Sequence, residues 1–389
     1  PIAIELMAQH LQGAGDDAAA LGRVLVARGA GEALQRRDAP PRQQSLHASL
    51  EWSLALLSPA KRDTLTQLAV FDGGFAPAAA AAVVAAPGDA DGDAHAVVQA
   101  RLSALVRRSL LMVDWSGPRY HLLQLVRAQL LAEHGADALL SGARQRHAAC
   151  YADYARRARE ELAQRGSNPA AWRERIDGEA RNLQAAFDWA AGPGGSAPIA
   201  LALCDDLADY WDLTGQHSHA ARAIAAVLQL PADEALRPLR QRALEADAAC
   251  ALQRGRLRDA ARGYADAASE AGALGDERAL LRAGLGAATC SALLGHADAA
   301  EAALQPLLVA FEATHDGDGL SASHRVRTLI CIQRDELERA QLCAEQALDA
   351  ARAGGTLTTA AEAHALLGQV MALGGEAPAA TSHLTRCTR

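Results

Sequence analysis

Leu102–Leu131 reads LSALVRRSLLMVDWSGPRYHLLQLVRAQLL. A helical apolar period runs through Leu110 and changes to strand-like spacing at Leu111–Asp114. Ser116-Gly117-Pro118 then marks a turn, Tyr120–Leu122 forms a second short strand, and helical spacing resumes. This is a β-hairpin set between two amphipathic helices. A lone two-stranded hairpin is marginal in water, so it must pack on the helices beside it. Helices followed by such a hairpin outline a winged helix. Nearly everything else in the chain reads as helix, which points to a relay between two helical neighbours rather than to chemistry.

Upstream of the hairpin, Ser45 is placed to cap a helix through Leu57, and Ser58-Pro59 opens a helix to Phe71 that Gly73-Gly74 closes. A short Ala-rich helix at Pro77–Ala86 precedes an acidic loop, Pro87–Asp93. Further upstream lie helices at Pro1–Leu11, with proline at its tolerated first position, and at Asp16–Arg28. The polar connector Gly29–Pro41 follows them.

Downstream, from about Ser196, the chain repeats. Gly215, Gly255, Gly295, Asp335 and Gly375 fall 40 residues apart, and five residues after each stands an alanine: Ala220, Ala260, Ala300, Ala340 and Ala380. A mostly apolar column, Ile224, Tyr264, Leu304, Ala344 and Leu384, sits nine residues after the turns, and Tyr210, Cys250, Cys290, Ile330 and Val370 sit five before them. Fixed self-similarity at this period marks a solenoid of helix pairs. Each turn glycine should end the first helix of a pair in a left-handed conformation, which costs other residues roughly 1 kcal/mol or more. The alanine column fits where the two helices cross closely.

At 389 residues the chain has room for two or three domains. Half of it is apolar but only 4% aromatic, which favours close-packed helix pairs over a sheet sandwich. The net charge of −8 argues against a general nucleic-acid footprint. Lys61 is the one lysine. The seven cysteines show neither a CxxC pair nor zinc-ligand spacing, so a reducing, cytoplasmic setting without a disulfide scaffold or metal site is expected. The most apolar run, Ala76–Ala86, is too short to span a membrane. The start at Pro1 and the stop inside a repeat read as the ends of a fragment.

Four segments resemble a known family. PIAIEL at the start is similar to the GLPLAIEL segment of bacterial STAND-class ATPases, relatives of NB-ARC and AP-ATPase proteins. RQQSLHASLEWSLALLSPAKRDTLTQLAVFDGGF, Arg42–Phe75, resembles their winged-helix opening; RYHLLQLVR, Arg119–Arg127, the segment after the wing; and AWRERIDGEARNLQAAFDWA, Ala171–Ala190, the helix pair beyond it. The order is the family's, over about 190 residues. The chain thus looks like the C-terminal part of an ATP-dependent transcriptional regulator of the LuxR- or SARP-like kind, with tetratricopeptide-like (TPR-like) repeats.

That resemblance implies ATP or ADP binding by the full-length protein, a nucleotide-dependent switch that can include oligomerisation, and an upstream ATPase domain as partner in cis. Two departures limit it. The family's P-loop lies upstream of this chain, and Lys61 sits in a helix pattern where it cannot serve a phosphate cradle. Leu123 and Gln124 stand where relatives carry a nucleotide-sensing His-Asp pair. Pro1 is the one position assigned next to the nucleotide; this piece should bind no cofactor alone and should not be an enzyme.

Other features have plainer readings. Cys250 and Cys290 share a column with apolar residues and read as core. His217 and His219 lack a third ligand. Asp205-Asp206 reads as a solvated helix surface. Arg107, Arg108 and Arg119 could form a basic patch, but Lys and Arg exceed Asp and Glu by only two between Arg36 and Arg127, so direct DNA binding is disfavoured. The five tryptophans lie on different elements and read as anchors. No local catalytic motif stands out.

The sequence therefore predicts an all-α-dominated chain: a helical tail of an ATPase module at 1–37, a winged-helix domain at 38–137, linking helices at 138–195, and a TPR-like solenoid at 196–389. The predicted function is the non-catalytic regulatory and sensing portion of a signal-transduction ATPase. The winged helix would relay nucleotide state, and the repeats would bind a small inducer or a protein partner. The groove residues would come from the first helix of each pair, for example Asp206, Asp247 and Arg327. The alternative is a protein-interaction scaffold without nucleotide switching.

Overall fold

The computed structural model describes residues 51–84, 94–114, 117–135, 137–162, 168–231 and 233–387. The two lead-in helices, the Ser45 cap, the 87–93 loop and Pro1 lie outside the described residues. The described residues are predominantly helical, with one small two-stranded sheet among them, and the chain divides into two compact units. One takes in the described residues up to Ala158 together with Ala170–Ile199; the other takes in Arg159–Pro169 and the residues from Ala200 onward.

In the first unit, a helical turn at 51–55 is followed by α1 (Pro59–Leu68), α2 (Pro77–Val83) and α3 (Ala94–Arg107). Ser58 is extended and Pro59 opens α1, but the serine side chain makes no capping bond. The helix stops at Leu68, short of the predicted Phe71. There the amides of Ala69, Val70 and Phe71 reach back only three residues, tightening the end of the helix. Helix α3 likewise ends three residues before the predicted Leu110. Ser109 turns left-handed at φ 54 and the Leu110 amide bonds the Leu105 carbonyl at 3.1 Å, a closure that stops the helix.

Strands β1 (Leu111–Val113) and β2 (Tyr120–Leu122) pair antiparallel, with Leu111 opposite Leu122 and Val113 opposite Tyr120. The hairpin is supported on its second edge: Phe75 and Tyr120 exchange two backbone hydrogen bonds of 2.9 Å each. Leu111, Tyr120 and Leu122 are buried and Met112 faces solvent, as the pleat requires; Val113, on the face of Leu111, is also exposed at the end of its strand. Helices α4 (Gln124–His134), α5 (Ala138–Leu162) and α6 (Pro169–Ala191) follow. The core of this unit includes Leu65, Leu68, Phe71, Phe75, Leu102, Leu105 and Leu130, with the Phe71 and Phe75 rings stacked 4.3 Å apart.

A buried polar knot ties the loop after α1 to α6. Asn182, 1% exposed, accepts from the amides of Asp72 (3.0 Å) and Gly73 (3.2 Å) and donates to the Gly74 carbonyl (2.9 Å) and to Glu179 (3.0 Å). Glu179 also accepts from the Tyr151 hydroxyl at 2.9 Å and pairs with Arg119, whose other guanidinium nitrogen donates to the Gly74 carbonyl at 2.6 Å. Nearby, Arg127 pairs with Asp72 at 2.8 Å. The amides of Asp72 and Gly73, the Gly74 carbonyl and the Asp72 carboxylate are thus answered.

In the second unit the helices come in pairs: α7 (Ala197–Leu213) with α8 (His217–Leu228), α9 (Arg237–Gln253) with α10 (Leu257–Leu274), α11 (Glu277–Leu293) with α12 (Ala297–Ala313), α13 (Gly317–Gln333) with α14 (Leu337–Gly354), and α15 (Leu357–Leu373) with α16 (Ala377–Cys387). This is an α-solenoid of TPR-like pairs with a period of 40. The turn column is left-handed throughout: Gly215, Gly255, Gly295 and Gly375 have φ between 68 and 85, and Asp335 has φ 61. The following amide closes each turn, as Arg256 does on the Ala251 carbonyl at 2.8 Å.

The five alanines of the crossing column are all buried, none more than 4% exposed. Leu384 departs from its apolar column at 42% exposed, since no described helix pair follows α16 to cover it. A second periodic signal had no sequence reading: Asp276, Asp316 and Thr356 cap the starts of α11, α13 and α15 by accepting from the amide three residues on.

Candidate functional site

A large concavity lies within the repeat unit, with a volume near 1310 Å³. It is lined mainly by the first helices of the pairs, and its lining follows the repeat. Glu245, Leu285, Arg325 and Ala365 form one column; Arg242, Arg282, Ala322 and Glu362 a second; Ala246, Gly286, Val326 and Leu366 a third. Residues spaced by three and four on one helix share a face, so stacking pairs turn these faces into a continuous wall.

The first two columns pair with each other across neighbouring helices. Arg242 bonds Asp205 at 2.9 Å, Arg282 reaches Glu245 with two nitrogens at 3.0 and 3.2 Å, and Arg325 pairs with Glu362. At the central step the corresponding residues are Leu285 and Ala322, which carry no charge. The groove is therefore ion-paired toward both ends and apolar in the middle. Partly exposed pairs of this kind each add at most about 1 kcal/mol; their effect is to neutralise the rims and fix helix register.

The residues singled out from the sequence sit elsewhere. Asp206, Asp247 and Arg327 belong to first helices, as anticipated, but none is among the residues lining the groove. Asp206 is 8% exposed and lies 3.4 Å from Arg159. Asp247 is half-buried, its carboxyl pushed up by burial and held down by Arg256 and Arg254 at the following turn. Arg327 pairs at 3.1 Å with Glu301 of α12, a second helix. The cause is rotational. Each residue turns about 100° around a helix, so positions one or two beyond Asp205, Glu245 and Arg325 point to other surfaces.

Asp205 and Asp206 are also not the solvated pair read from the sequence. Both side chains are about nine-tenths buried, and Arg159 bonds Asp205 at 2.7 Å. That guanidinium comes from outside the repeats, beyond the reach of a repeat-based reading.

His217 lies 3.7 Å from Asp212, and His219 packs edge-on to Trp211. Among the described residues no group of three or more His, Cys, Asp or Glu side chains could hold a metal ion. Cys290 is fully buried, and burial pushes the half-buried Cys250 thiol up to about 11, as suits packing.

In the first unit a smaller concavity, near 590 Å³, is lined by Asp72, Arg127, Arg144, His147, Arg181 and Trp189 among others. Its cations are committed: Arg127 and Arg181 to Asp72, Arg144 to the Gly135 carbonyl. Burial lowers His147 to about 4, so the ring is neutral against Phe71 and Tyr151. Of the candidate basic patch, Arg108 is bound to the Leu56 carbonyl at 2.9 Å and Arg119 to the Glu179 knot. Leu123 and Gln124 form the start of α4 and present neither an imidazole nor a carboxylate to a nucleotide. Among the described residues no helix is long and apolar enough to cross a membrane.

No family model matches the chain. Over 177 residues it is 34% identical to proteins of Mycobacterium bovis and Mycobacterium tuberculosis named as HTH-type transcriptional regulators. The match covers 45% of this chain and 19% of those proteins, so the chain spans only about a fifth of their length. Among solved structures, it is similar to aspartyl phosphate phosphatase F of Bacillus subtilis at 12% identity and TM-score 0.43, covering 76% of this chain and 80% of that one. BtubC of P. vanneervenii gives 16% identity and TM-score 0.37, covering 62% and 90%. A Pyrococcus horikoshii STAND protein with a tetratricopeptide repeat sensor gives 12% and 0.36, covering 90% and 65%.

Proposed function

We propose that this chain is a regulatory and sensing portion of a larger bacterial signal-transduction ATPase that controls transcription. In this reading the repeat groove receives a protein partner or inducer, and the winged-helix unit passes the state of an ATPase module to the repeats. The observation that carries it is the groove itself: a long concave wall built from the repeating columns, ion-paired at its ends and apolar at its centre. The named relatives support a place in transcriptional control. The resemblance of the winged-helix segments supports the STAND class.

In this reading nucleotide chemistry belongs to the ATPase module, and the expectation that this chain binds no nucleotide alone is what the test addresses. The test is calorimetry with ADP and ATP on this chain and on a longer polypeptide extended upstream through the ATPase region. Binding by the longer form alone supports the switch. Binding by neither supports a repeat scaffold without switching, and binding by this chain alone contradicts the assignment of the nucleotide site.

A further inference from the structure

The helix pair α15–α16 carries a feature that the groove does not use. His364 of α15 and His383 of α16 meet across the pair, Nδ1 to Nδ1 at 2.9 Å, with ring centroids 5.1 Å apart and the ring planes tilted by 39°. Both are half-buried, and neither lines the groove. The backbone sets their spacing. At Gly368, one turn after His364, a Cβ would lie 2.9 Å from the Leu384 side chain and 3.2 Å from the Ala380 carbonyl, so the two helices approach there about as closely as glycine allows. Ala380 stands three residues before His383 on the same helix face. Each imidazole therefore sits one turn from a tight crossing.

As drawn, the two nitrogens share one proton: one ring donates from Nδ1 and the other accepts. The same separation fits a metal ion. With metal–nitrogen bonds of about 2.0–2.1 Å, nitrogens 2.9 Å apart subtend about 90° at the ion, whereas a tetrahedral site needs them about 3.3 Å apart. A right angle is the square-planar or tetragonal preference of copper(II) and nickel(II). Loading needs no co-reactant. The shared proton passes through solvent to Nε2 of its own ring, which leaves both Nδ1 lone pairs to the ion.

We propose that His364 and His383 are the protein ligands of a copper(II)- or nickel(II)-binding site that joins α15 to α16. Among the described residues no third His, Cys, Asp or Glu side chain completes the set. Solvent fills the other positions, and the ion is exchangeable, as suits a sensed ligand rather than a closed structural site. The site stands independently of the groove and of what the groove receives.

The test is calorimetric titration of the full chain with nickel(II), with zinc(II) as the comparison ion. One saturable equivalent of nickel is expected, bound more tightly than zinc. His364→Ala and His383→Ala should each weaken it by at least about tenfold, and His217→Ala, outside the pair, should leave it unchanged. Circular dichroism reports whether each variant is folded. The unsubstituted chain gives a second readout: bound copper(II) should show electron paramagnetic resonance splitting from two nitrogens.

No saturable nickel binding, or binding that survives both substitutions, overturns the proposal and leaves the pair as a hydrogen bond. Dependence on one histidine alone, or splitting from a single nitrogen, overturns the shared site. Zinc bound more tightly than nickel overturns the planar geometry.

Discussion

Asn182 in the first unit hydrogen-bonds three successive loop residues, Asp72, Gly73 and Gly74, that lie 108 to 110 positions away. Ala260 in the repeats packs with Ala248, Tyr264 and Cys290, all within the same or the next helix pair. One region is held by a few irreplaceable polar contacts between distant segments. The other is held by many interchangeable apolar contacts between neighbours. In the first, identity matters at single positions; in the second, size and period matter, and the residue in a column can change from tyrosine to leucine to alanine.

The comparison makes four measurements informative, and the largest effect is expected at Asn182. Asn182→Ala leaves the half-buried amides of Asp72 and Gly73 without partners, while the Gly74 carbonyl keeps Arg119, and should destabilise the first unit by about 2–4 kcal/mol. Chemical denaturation followed by Trp172 fluorescence should show this; a loss below 1 kcal/mol would mean that the knot is not what holds α6 to the loop.

Acid should act next. His147 is neutral in the fold, with its pKa lowered from 6.5 to about 4 by burial. The unfolded chain therefore binds the proton first as pH falls below 6.5. Stability should be complete above that value and decline down to pH 4, by a total of about 3 kcal/mol. His147→Phe should flatten that part of the stability–pH curve, and an unchanged slope would assign the acid sensitivity to another group.

In the repeats, Ala260→Leu should cost about 1–3 kcal/mol by forcing the α9–α10 crossing apart. Unchanged thermal stability would contradict a close crossing at this column. The smallest effect is a gain. Asp335 occupies the left-handed turn position that glycine fills in the other four repeats, at φ 61. Asp335→Gly should stabilise by about 0.5–1 kcal/mol, read as a rise in denaturation midpoint, and a loss would show that the aspartate side chain serves another purpose.

The repeats were legible because their determinants are local. A left-handed turn needs glycine or its nearest substitutes, and a tight crossing needs alanine, so a period of 40 in those two residues announced the helix pairs. The capping column Asp276, Asp316 and Thr356 was equally periodic and went unread, because its residue type varies. The hairpin was visible in the change of period at Leu111. Its support by Phe75 was not, since one residue exchanging two backbone bonds leaves no pattern.

The groove shows the boundary most clearly. The sequence determined that a concave face exists and that first helices line it, because both follow from stacking identical helix pairs. Tertiary structure alone decided which residues face it. A helix rotates each successive side chain by about 100°, so a step of one or two residues takes a side chain off the groove, to a buried position for Asp206 and to half-buried positions for Asp247 and Arg327. The same holds in the first unit. The sequence supplied the loop 72–74, Arg119, Tyr151, Glu179 and Asn182 as separate polar residues. Only the fold could bring them together, because a buried hydrogen bond depends on distance in space and not on separation along the chain.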